Sequence, residues 1–437
     1  MQTKKLLRCA CICVGSLLAA ILLGCILMTC AYKMPTYRML PHVVQSDYSI
    51  DVEGSSYYWA PGYAFSRLDG YTDNIMMQTA VFETTNHPLV AAMLNQRMDF
   101  PKAKLTPGDA LLNYVNGARN GEVISYGRYW HGYLVFLKPL LTLFTLSDIR
   151  VFNMIFQWVL ALVLLFLAHR KGGFRLVFPL GIALLSLNPL STALSMQYSS
   201  IYLLTLVFGI LQLQFELYKK RNGWLLYLWL GILTAFFDFL TYPPAAWAIC
   251  LCIGLFMMEG NAKDRFTYTV ASGVAWCFGY GGMWSGKWVV GSLISGQNIL
   301  LDAAQSVQYR AGYQVDSIPE SENVFRYVEA LGRNLKAYLN IPALVFLLFL
   351  VLLVAFLILL KGYRFRPDTA LIPSVLLVSI VPFVWYFVLK NHAWIHYWMT
   401  HRILSATWIA LSGFVCFSLE KPSTQSSNNI SGDTTHG

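Results

Sequence analysis

About ten long apolar stretches constrain the fold of this chain more than any other feature of its sequence. A helix needs about 20 largely apolar residues to cross the hydrocarbon core of a bilayer, and most of these stretches approach that length. Only 12% of the residues are charged, whereas about 25% is usual in soluble domains. The pattern therefore predicts an all-α polytopic membrane protein. The predicted spans cover about residues 6–32, 151–168, 174–189, 197–217, 224–241, 244–258, 267–285, 341–360, 370–389 and 403–419.

One ambiguous stretch decides the predicted topology. Residues 130–147 are apolar, but Lys138-Pro139 interrupts them, and their Trp, Tyr and His content is typical of an interfacial helix. If this stretch does not cross, the later short basic loops share the cytoplasmic side with the basic N-terminus, as the positive-inside rule favours. The net charge of +10 then reflects this bias, and no basic soluble domain indicates nucleic-acid binding. We expect ten spans with both termini in the cytoplasm.

Two long hydrophilic stretches, about 33–128 and 286–340, then face outward. Their aromatic, Pro and Gly content predicts an ordered cap of short helices. The nine cysteines lie mainly in the spans and show no disulfide or zinc pattern. The predicted organisation is a first transmembrane helix (1–32), an outer loop with an acidic motif and interfacial helices (33–150), transmembrane helices 2–7 (151–285), a second outer loop (286–340), transmembrane helices 8–10 (341–419) and a disordered cytoplasmic tail (420–437). Small residues let helices approach closely. Close helix packing is therefore predicted at Gly273, Gly279, Gly281, Gly282 and Gly286.

Two acids in the first outer loop are the candidate catalytic residues. Asp69 and Asp73 are four residues apart and would share one face of a helix. In an outward cavity such a carboxylate can serve as a general base or a metal ligand. The alternative is structural: Gly70 predicts a turn, and Thr72 or Asp73 would then cap a helix that runs from Asn74 to Thr84.

Asp238 is the clearest acid inside a predicted span. A carboxylate is costly in a bilayer and normally faces the bundle interior or a watery cavity. Asp238 is therefore predicted either to contact substrate or to form an interhelical contact or a helix cap.

Basic groups near the long loops are candidates for binding a phosphate. The arginine guanidinium offers a bidentate fork, and histidine offers neutral or charged donors. The alternative for the group at residues 392–402 is that it anchors the chain in the interface beside neighbouring Trp and Tyr side chains. The alternative for the three earlier residues is an ordinary surface position. The candidates are Arg67, Arg128, His131, His392, His396 and Arg402.

The architecture and three of its segments resemble the GT-C superfamily of membrane glycosyltransferases. The segments are Arg67-Leu68-Asp69-Gly70-Tyr71-Thr72-Asp73-Asn74, Tyr126-Gly127-Arg128-Tyr129-Trp130-His131-Gly132-Tyr133 and residues 391–402. The resemblance implies a GT-C-like fold in a bacterial cytoplasmic membrane and a sugar donor carried on a polyprenyl phosphate or pyrophosphate. It implies inverting transfer to a cell-envelope glycan or lipid acceptor.

The resemblance also implies roles for the candidate residues. Asp69 or Asp73 would be the general base, and Arg128, His396 and Arg402 would stabilise the leaving phosphate. Three acids nearer the first span are alternative bases: Asp47, Asp51 and Glu53. Some members of the superfamily use a divalent metal and others do not, and no other cofactor is implied.

Three other functions remain open from the sequence. A transporter or flippase for lipid-linked glycans would place polar residues at mid-depth in the bundle, whereas the polar residues here gather on one predicted face. A polysaccharide polymerase or ligase shares the many spans and the large outer loops with arginines. A non-catalytic scaffold would tolerate loss of Asp69, Asp73 and Asp238 together.

Overall fold

A computed structural model describes residues 2–46, 50, 54–312 and 326–420. In this part of the chain the fold is mostly helical, and the few strands are short. The α-helices are α1 (Gln2–Tyr32), α2 (Leu40–Val44), α3 (Gly70–Val81), α4 (Pro88–Leu94), α5 (Pro107–Val115), α6 (Leu134–Leu141), α7 (Leu146–Gly172), α8 (Phe174–Ser186), α9 (Pro189–Leu194), α10 (Met196–Gln214), α11 (Trp224–Phe237), α12 (Pro244–Met257), α13 (Ala262–Ser295), α14 (Ile299–Ala311), α15 (Arg326–Tyr338), α16 (Ile341–Leu359), α17 (Ile372–Val388), α18 (Lys390–Ile395), α19 (Tyr397–Thr400) and α20 (Ser405–Ser418). The strands β1 (Arg97–Asp99) and β2 (Glu122–Ile124) pair antiparallel, as do β3 (Arg364–Phe365) and β4 (Leu419–Glu420).

Each stretch predicted to cross the membrane coincides with a helix. Within the described residues, three helices are long and apolar enough to cross a membrane, namely Leu7–Tyr32 of α1, α7 and α10. A fourth results if α15 and α16, which are bent by 71° at a short break, form one span. Four more apolar helices are shorter: α8, α11, α12 and α17. The long apolar helices indicate a membrane protein, while the number of ten spans stays a prediction.

The ambiguous stretch 130–147 contains α6, which has 8 residues and carries Pro139 inside it. At about 1.5 Å per residue, α6 is too short to cross a bilayer. It packs against α1 and α3. The local structure thus agrees with the prediction that this stretch does not span.

Two buried lysines hold the segment between α1 and α7, one from within the segment and one from the long helix α13. Lys138 of α6 donates a hydrogen bond to the Ala80 carbonyl at 2.6 Å, and Lys287 of α13 donates to the Ala92 carbonyl at 2.9 Å. These carbonyls lie in the last turns of α3 and α4, where the helix dipole favours a positive charge. Both lysine side chains are buried, so the cap helices are held by interior contacts.

Glycines bring α11 and α13 into close contact. A Cβ atom on Gly279 would collide with the Leu228 carbonyl, and one on Gly231 would collide with the Trp276 carbonyl. The prediction of close packing is confirmed for Gly279, as it is for Gly282 and Gly286, whose positions are filled by side chains of α1. Gly281 faces open space, so there the prediction was wrong.

Helix α13 continues beyond residue 285 to Ser295, so the second long loop begins later than predicted. In the sequence the charged Lys287 indicates the end of the span. In the structure it is buried and donates a hydrogen bond to a carbonyl of α4. The predicted loop also contains the helices α14 and α15. The alternative bases Asp47, Asp51 and Glu53 and nearly all of the predicted tail lie outside the described residues.

Candidate functional site

Asp73 holds the start of α10. Its Oδ1 accepts the N–H of Gln197 and its Oδ2 accepts the N–H of Met196, both at 3.1 Å. A guanidinium nitrogen of Arg150 lies 3.9 Å from the same Oδ2. Ser195, the N-cap residue of α10, does not cap the helix with its own side chain, so Asp73 supplies the negative charge that a helix N-terminus favours. Asp73 is 1% exposed, and burial raises its pKa to about 7 against the opposing effects of Arg150 and the backbone donors.

The helix that carries both candidate acids starts earlier than predicted. It runs from Gly70 to Val81, and its N-cap is Asp69, not Thr72 or Asp73. The Asp69 side chain accepts the N–H of Thr72 at 3.1 Å, which is the usual bond of an N-cap aspartate. Gly70 is required there by close packing and not by a turn, because a Cβ atom would collide with the carbonyl of Gly54.

The carboxylate of Asp69 is less engaged than that of Asp73. It accepts one backbone N–H, from Thr72, and the Asp69 N–H donates to Ser195 Oγ at 3.1 Å. The side chain is 4% exposed. Burial raises its pKa, while the bonds from Thr72 and the charges of Arg67 and Arg402 act in the opposite direction. A buried carboxylate with a raised pKa is suited to accept a proton.

Two arginines lie beside Asp69. The guanidinium of Arg67 stacks 3.7 Å from the centre of the Trp398 ring. Arg402 is 0% exposed and donates to the carbonyls of Leu187 at 3.0 Å and Trp398 at 2.9 Å. Its guanidinium thus ties chain segments together, and its charge acts on Asp69 through space. We call the cluster of Arg67, Asp69, His396, Trp398 and Arg402 the Asp69 site.

The two histidines four residues apart lie side by side, with ring centroids 4.7 Å apart. Nε2 of His392 is 2.8 Å from the Leu240 carbonyl, which can only accept, so we assign the proton to Nε2. The buried Nδ1 atom of His392, and that of His396, have no hydrogen-bond partner among the described residues. Burial lowers the pKa of His392 well below its ordinary value and that of His396 to about 3. Both rings are neutral at neutral pH, and Nδ1 of His392 is an acceptor, not the donor to phosphate that was expected.

Two other candidates are occupied by structural contacts. The ring nitrogens of His131 lie 3.1 Å from Tyr133 Oη and 2.9 Å from the Tyr126 carbonyl. Asp238 is the C-cap residue of α11 and accepts hydrogen bonds from the N–H and the hydroxyl of Thr241. For Asp238 the geometry supports a structural role, because the turn that follows α11 uses both carboxylate oxygens.

Arg128 contacts a different set of residues from those of the Asp69 site. Its Nη1 lies 3.0 Å from the Asp302 carboxylate, and its guanidinium stacks 4.7 Å from the centre of the Tyr126 ring. The structure therefore brings Arg67, Asp69, His396 and Arg402 together and leaves Arg128 in a neighbouring region.

An apolar cavity of about 490 Å³ opens between α6, α7, α10 and α11. Its walls are mainly Phe, Leu, Ile and Met side chains, with Arg150 and Asn153 among the few polar groups. Met196, whose N–H binds Asp73, also lines it. The cavity thus places apolar walls beside Arg150, the residue that pairs with Asp73.

Three residues with clear roles at the site were not singled out from the sequence. Arg150 pairs with Asp73, and Trp398 stacks with Arg67. Ser195 joins the two acids, because its Oγ accepts the Asp69 N–H and lies 3.4 Å from Asp73 Oδ2. Only Arg150 carries a usable signal: it is a basic residue at the predicted outer end of a span, where the positive-inside rule makes it unusual.

The chain matches no protein-family model, no curated protein and no solved structure. Among the described residues, no group of three or more His, Cys, Asp or Glu side chains is arranged to hold a metal ion. A divalent metal therefore stays a prediction from the resemblance, and the function has to be inferred from the site itself.

Proposed function

We propose that this protein is a GT-C-type membrane glycosyltransferase that moves a sugar from a polyprenyl-phosphate donor to a cell-envelope glycan or lipid. The observation that carries the proposal is the Asp69 site. It combines a buried carboxylate, whose pKa burial raises, with two arginines and a neutral histidine. A general base beside cationic groups is what displacement of a phosphate by a hydroxyl requires.

In the proposed reaction, Asp69 accepts the proton of an acceptor hydroxyl. The hydroxyl oxygen forms a bond to the anomeric carbon as the bond from that carbon to the phosphate oxygen breaks. The electron pair of the broken bond goes to the leaving lipid phosphate, and the anomeric configuration inverts. Arg67 and Arg402 lower the pKa of Asp69 by their charge, and the same charges stabilise a phosphate that gains negative charge.

Asp73 has a different role in this proposal. Its carboxylate is occupied by two backbone donors and lies beside Arg150. It positions α3, and thereby Asp69, against the start of α10. We therefore assign catalysis to Asp69 and positioning to Asp73.

The apolar cavity supports a lipid-linked donor. An isoprenoid chain needs an apolar channel open to the bilayer, and the walls between α6, α7, α10 and α11 are almost wholly apolar. Arg150 at this cavity adds a positive charge near the acids. The predicted topology puts this region on the outer face of a bacterial cytoplasmic membrane, with ten spans and both termini inside.

The test is sugar transfer by the purified protein in lipid discs, with a panel of polyprenyl-phosphate and pyrophosphate sugars and envelope acceptors. We expect transfer from at least one donor, with inversion at the anomeric carbon measured by NMR of the product. Asp69→Asn should lower the rate of transfer by about 100- to 10,000-fold. The matched control is Asp109→Asn, which changes an exposed acid in the first turn of another cap helix. Donor translocation without transfer would support a flippase, and chain extension of the donor glycan would support a polymerase.

A further inference from the structure

A second apolar cavity lies beside α16. It has a volume of about 430 Å³, within the range of about 300–1,000 Å³ that is usual for sites that bind small molecules. Its walls come from α7, α8, α9, α15, α16 and α20 and from the cap residue Phe65, and they are mainly apolar. We call it the α16 groove, and we call the cavity between α6, α7, α10 and α11 the donor cavity.

The two cavities lie on opposite faces of α7. The α16 groove is lined by Trp158, whereas most of the α7 residues that line the donor cavity fall on one helical face, namely Ile149, Phe152, Asn153 and Phe156. With about 3.6 residues per turn, Trp158 lies about half a turn around the helix axis from Ile149. The α16 groove is therefore a separate cavity and not an extension of the donor cavity.

The α16 groove opens to the outside of the helix bundle. Two of the side chains that line it are well exposed, Trp158 at 47% and Leu185 at 57%. Every residue of α16 from Ile341 to Leu359 is apolar, and α7 exposes mainly Val, Ile, Leu and Phe side chains. In a membrane protein such helix faces contact the hydrocarbon core of the bilayer. The groove is thus continuous with the lipid, and a hydrocarbon chain is the occupant that its walls favour.

The wall of this groove is also bonded to the Asp69 site. Phe65 and His401 line the groove. Arg402, the next residue after His401, donates to the Phe65 carbonyl at 3.5 Å and to the Leu187 carbonyl at 3.0 Å. Leu187 lies between two residues that line the groove. An arginine of the Asp69 site therefore holds the backbone of the groove wall, while the donor cavity is connected to the neighbouring Asp73 through Met196.

We infer that the α16 groove holds the hydrocarbon tail of the acceptor, so that the acceptor is a membrane lipid with a free hydroxyl on its head group. The inference rests on the proposed function, in which the donor cavity holds the chain of the sugar donor. Two cavities that open to lipid on opposite faces of α7 let both substrates reach one carboxylate while their tails stay in apolar surroundings, and exposing a tail to water is costly for each methylene group. A polymeric glycan acceptor would have no use for the second cavity.

The first test is photolabelling of the full chain in detergent micelles, where loosely held lipid is diluted away, followed by mass spectrometry of the labelled peptides. One probe is phosphatidylglycerol with a diazirine at the end of one acyl chain, and the other is a polyprenyl phosphate with a diazirine in its chain. We expect the phospholipid probe to label α8 and α16 at the groove even in the presence of excess unlabelled polyprenyl phosphate. The polyprenyl probe should label α10 and α11 at the donor cavity.

A substitution that fills the groove gives the second test. Ala343 lines the groove, and Ala343→Trp places an indole there. The matched control is Leu344→Trp, at the next position of α16, which is 48% exposed and outside the groove lining. Ala343→Trp should lower labelling by the phospholipid probe about tenfold, as expected for displacement of about two methylene groups. With lipid acceptors from a bacterial envelope extract, it should raise the KM for the acceptor and leave the KM for the donor unchanged.

Three results would overturn the inference. Equal labelling of the two tryptophan variants would mean that the probe is ordinary surrounding lipid. Displacement of the phospholipid probe by polyprenyl phosphate would assign the groove to the donor, and this competition uses the parent alone, so it does not depend on the folding of a variant. Sugar transfer only to water-soluble glycans would exclude a lipid acceptor. Groove-specific labelling without any sugar transfer would contradict the proposed function and leave the second lipid tail in the groove standing.

Discussion

Replacing Asp73 with alanine should destabilise the protein far more than the same change at Asp69. Asp73→Ala removes the acceptor for the N–H groups of Met196 and Gln197, and it removes a carboxylate that contacts the 7%-exposed Arg150. Removing one partner of a buried ion pair costs about 3–5 kcal/mol. Each buried donor left unpaired costs about 1–3 kcal/mol, and this cost is partly included in the first figure. We expect a loss of about 3–5 kcal/mol in the free energy of unfolding. Asp69→Ala removes one N-cap bond, which is worth about 1 kcal/mol.

The assay is equilibrium unfolding in detergent micelles at pH 8, followed by tryptophan fluorescence. At this pH Asp73 is ionised, because the pH lies above its pKa of about 7. The double variant Asp73→Ala, Arg150→Met removes both charges and should be less destabilised than Asp73→Ala, with a coupling of about 0.5–3 kcal/mol. A loss below about 1 kcal/mol for Asp73→Ala, or purely additive effects in the double variant, would refute the positioning role.

Two further predictions concern the base and the helix packing. The acidic limb of the pH profile of kcat/KM should lie above the ordinary pKa of aspartate, because burial raises the pKa of Asp69 and the base must be ionised. Arg67→Gln should move this limb to still higher pH, since the Arg67 charge lowers the pKa of Asp69. An unmoved limb would argue against Asp69 as the titrating group. Gly279→Ala should lower the melting temperature, because its Cβ collides with the Leu228 carbonyl. The expected loss in the free energy of unfolding is about 1–3 kcal/mol. Gly281 faces open space, so Gly281→Ala should leave the melting temperature unchanged. Equal melting temperatures would contradict the close packing.

The sequence predicted the position of the long helices because apolar runs report directly on burial in lipid or protein. It failed where a charged residue is buried by a backbone contact. In the sequence, Lys287 indicates the end of a span. In the structure its ammonium group donates a hydrogen bond to the Ala92 carbonyl, and the sequence does not show which backbone carbonyls are available to a side chain. The start of α3 was missed for a similar reason, because Gly70 read as a turn when it is needed for contact with Gly54.

The candidate site was partly predictable. Acids and arginines in two distant segments pointed to one region, and Arg67, Asp69, His396 and Arg402 do lie together. What the sequence could not distinguish was Asp69 from Asp73, because the partners of Asp73 are backbone N–H groups more than 100 residues away along the chain.

The most direct test of the central claim is the rate of sugar transfer from a lipid-linked donor by Asp69→Asn, compared with the parent at saturating donor and acceptor. Asparagine caps a helix about as well as aspartate, so the variant should stay folded while losing the base. The proposed role predicts a loss of about 100- to 10,000-fold in the rate, the usual contribution of a general base. A folded Asp69→Asn variant with a rate within about tenfold of the parent would contradict it.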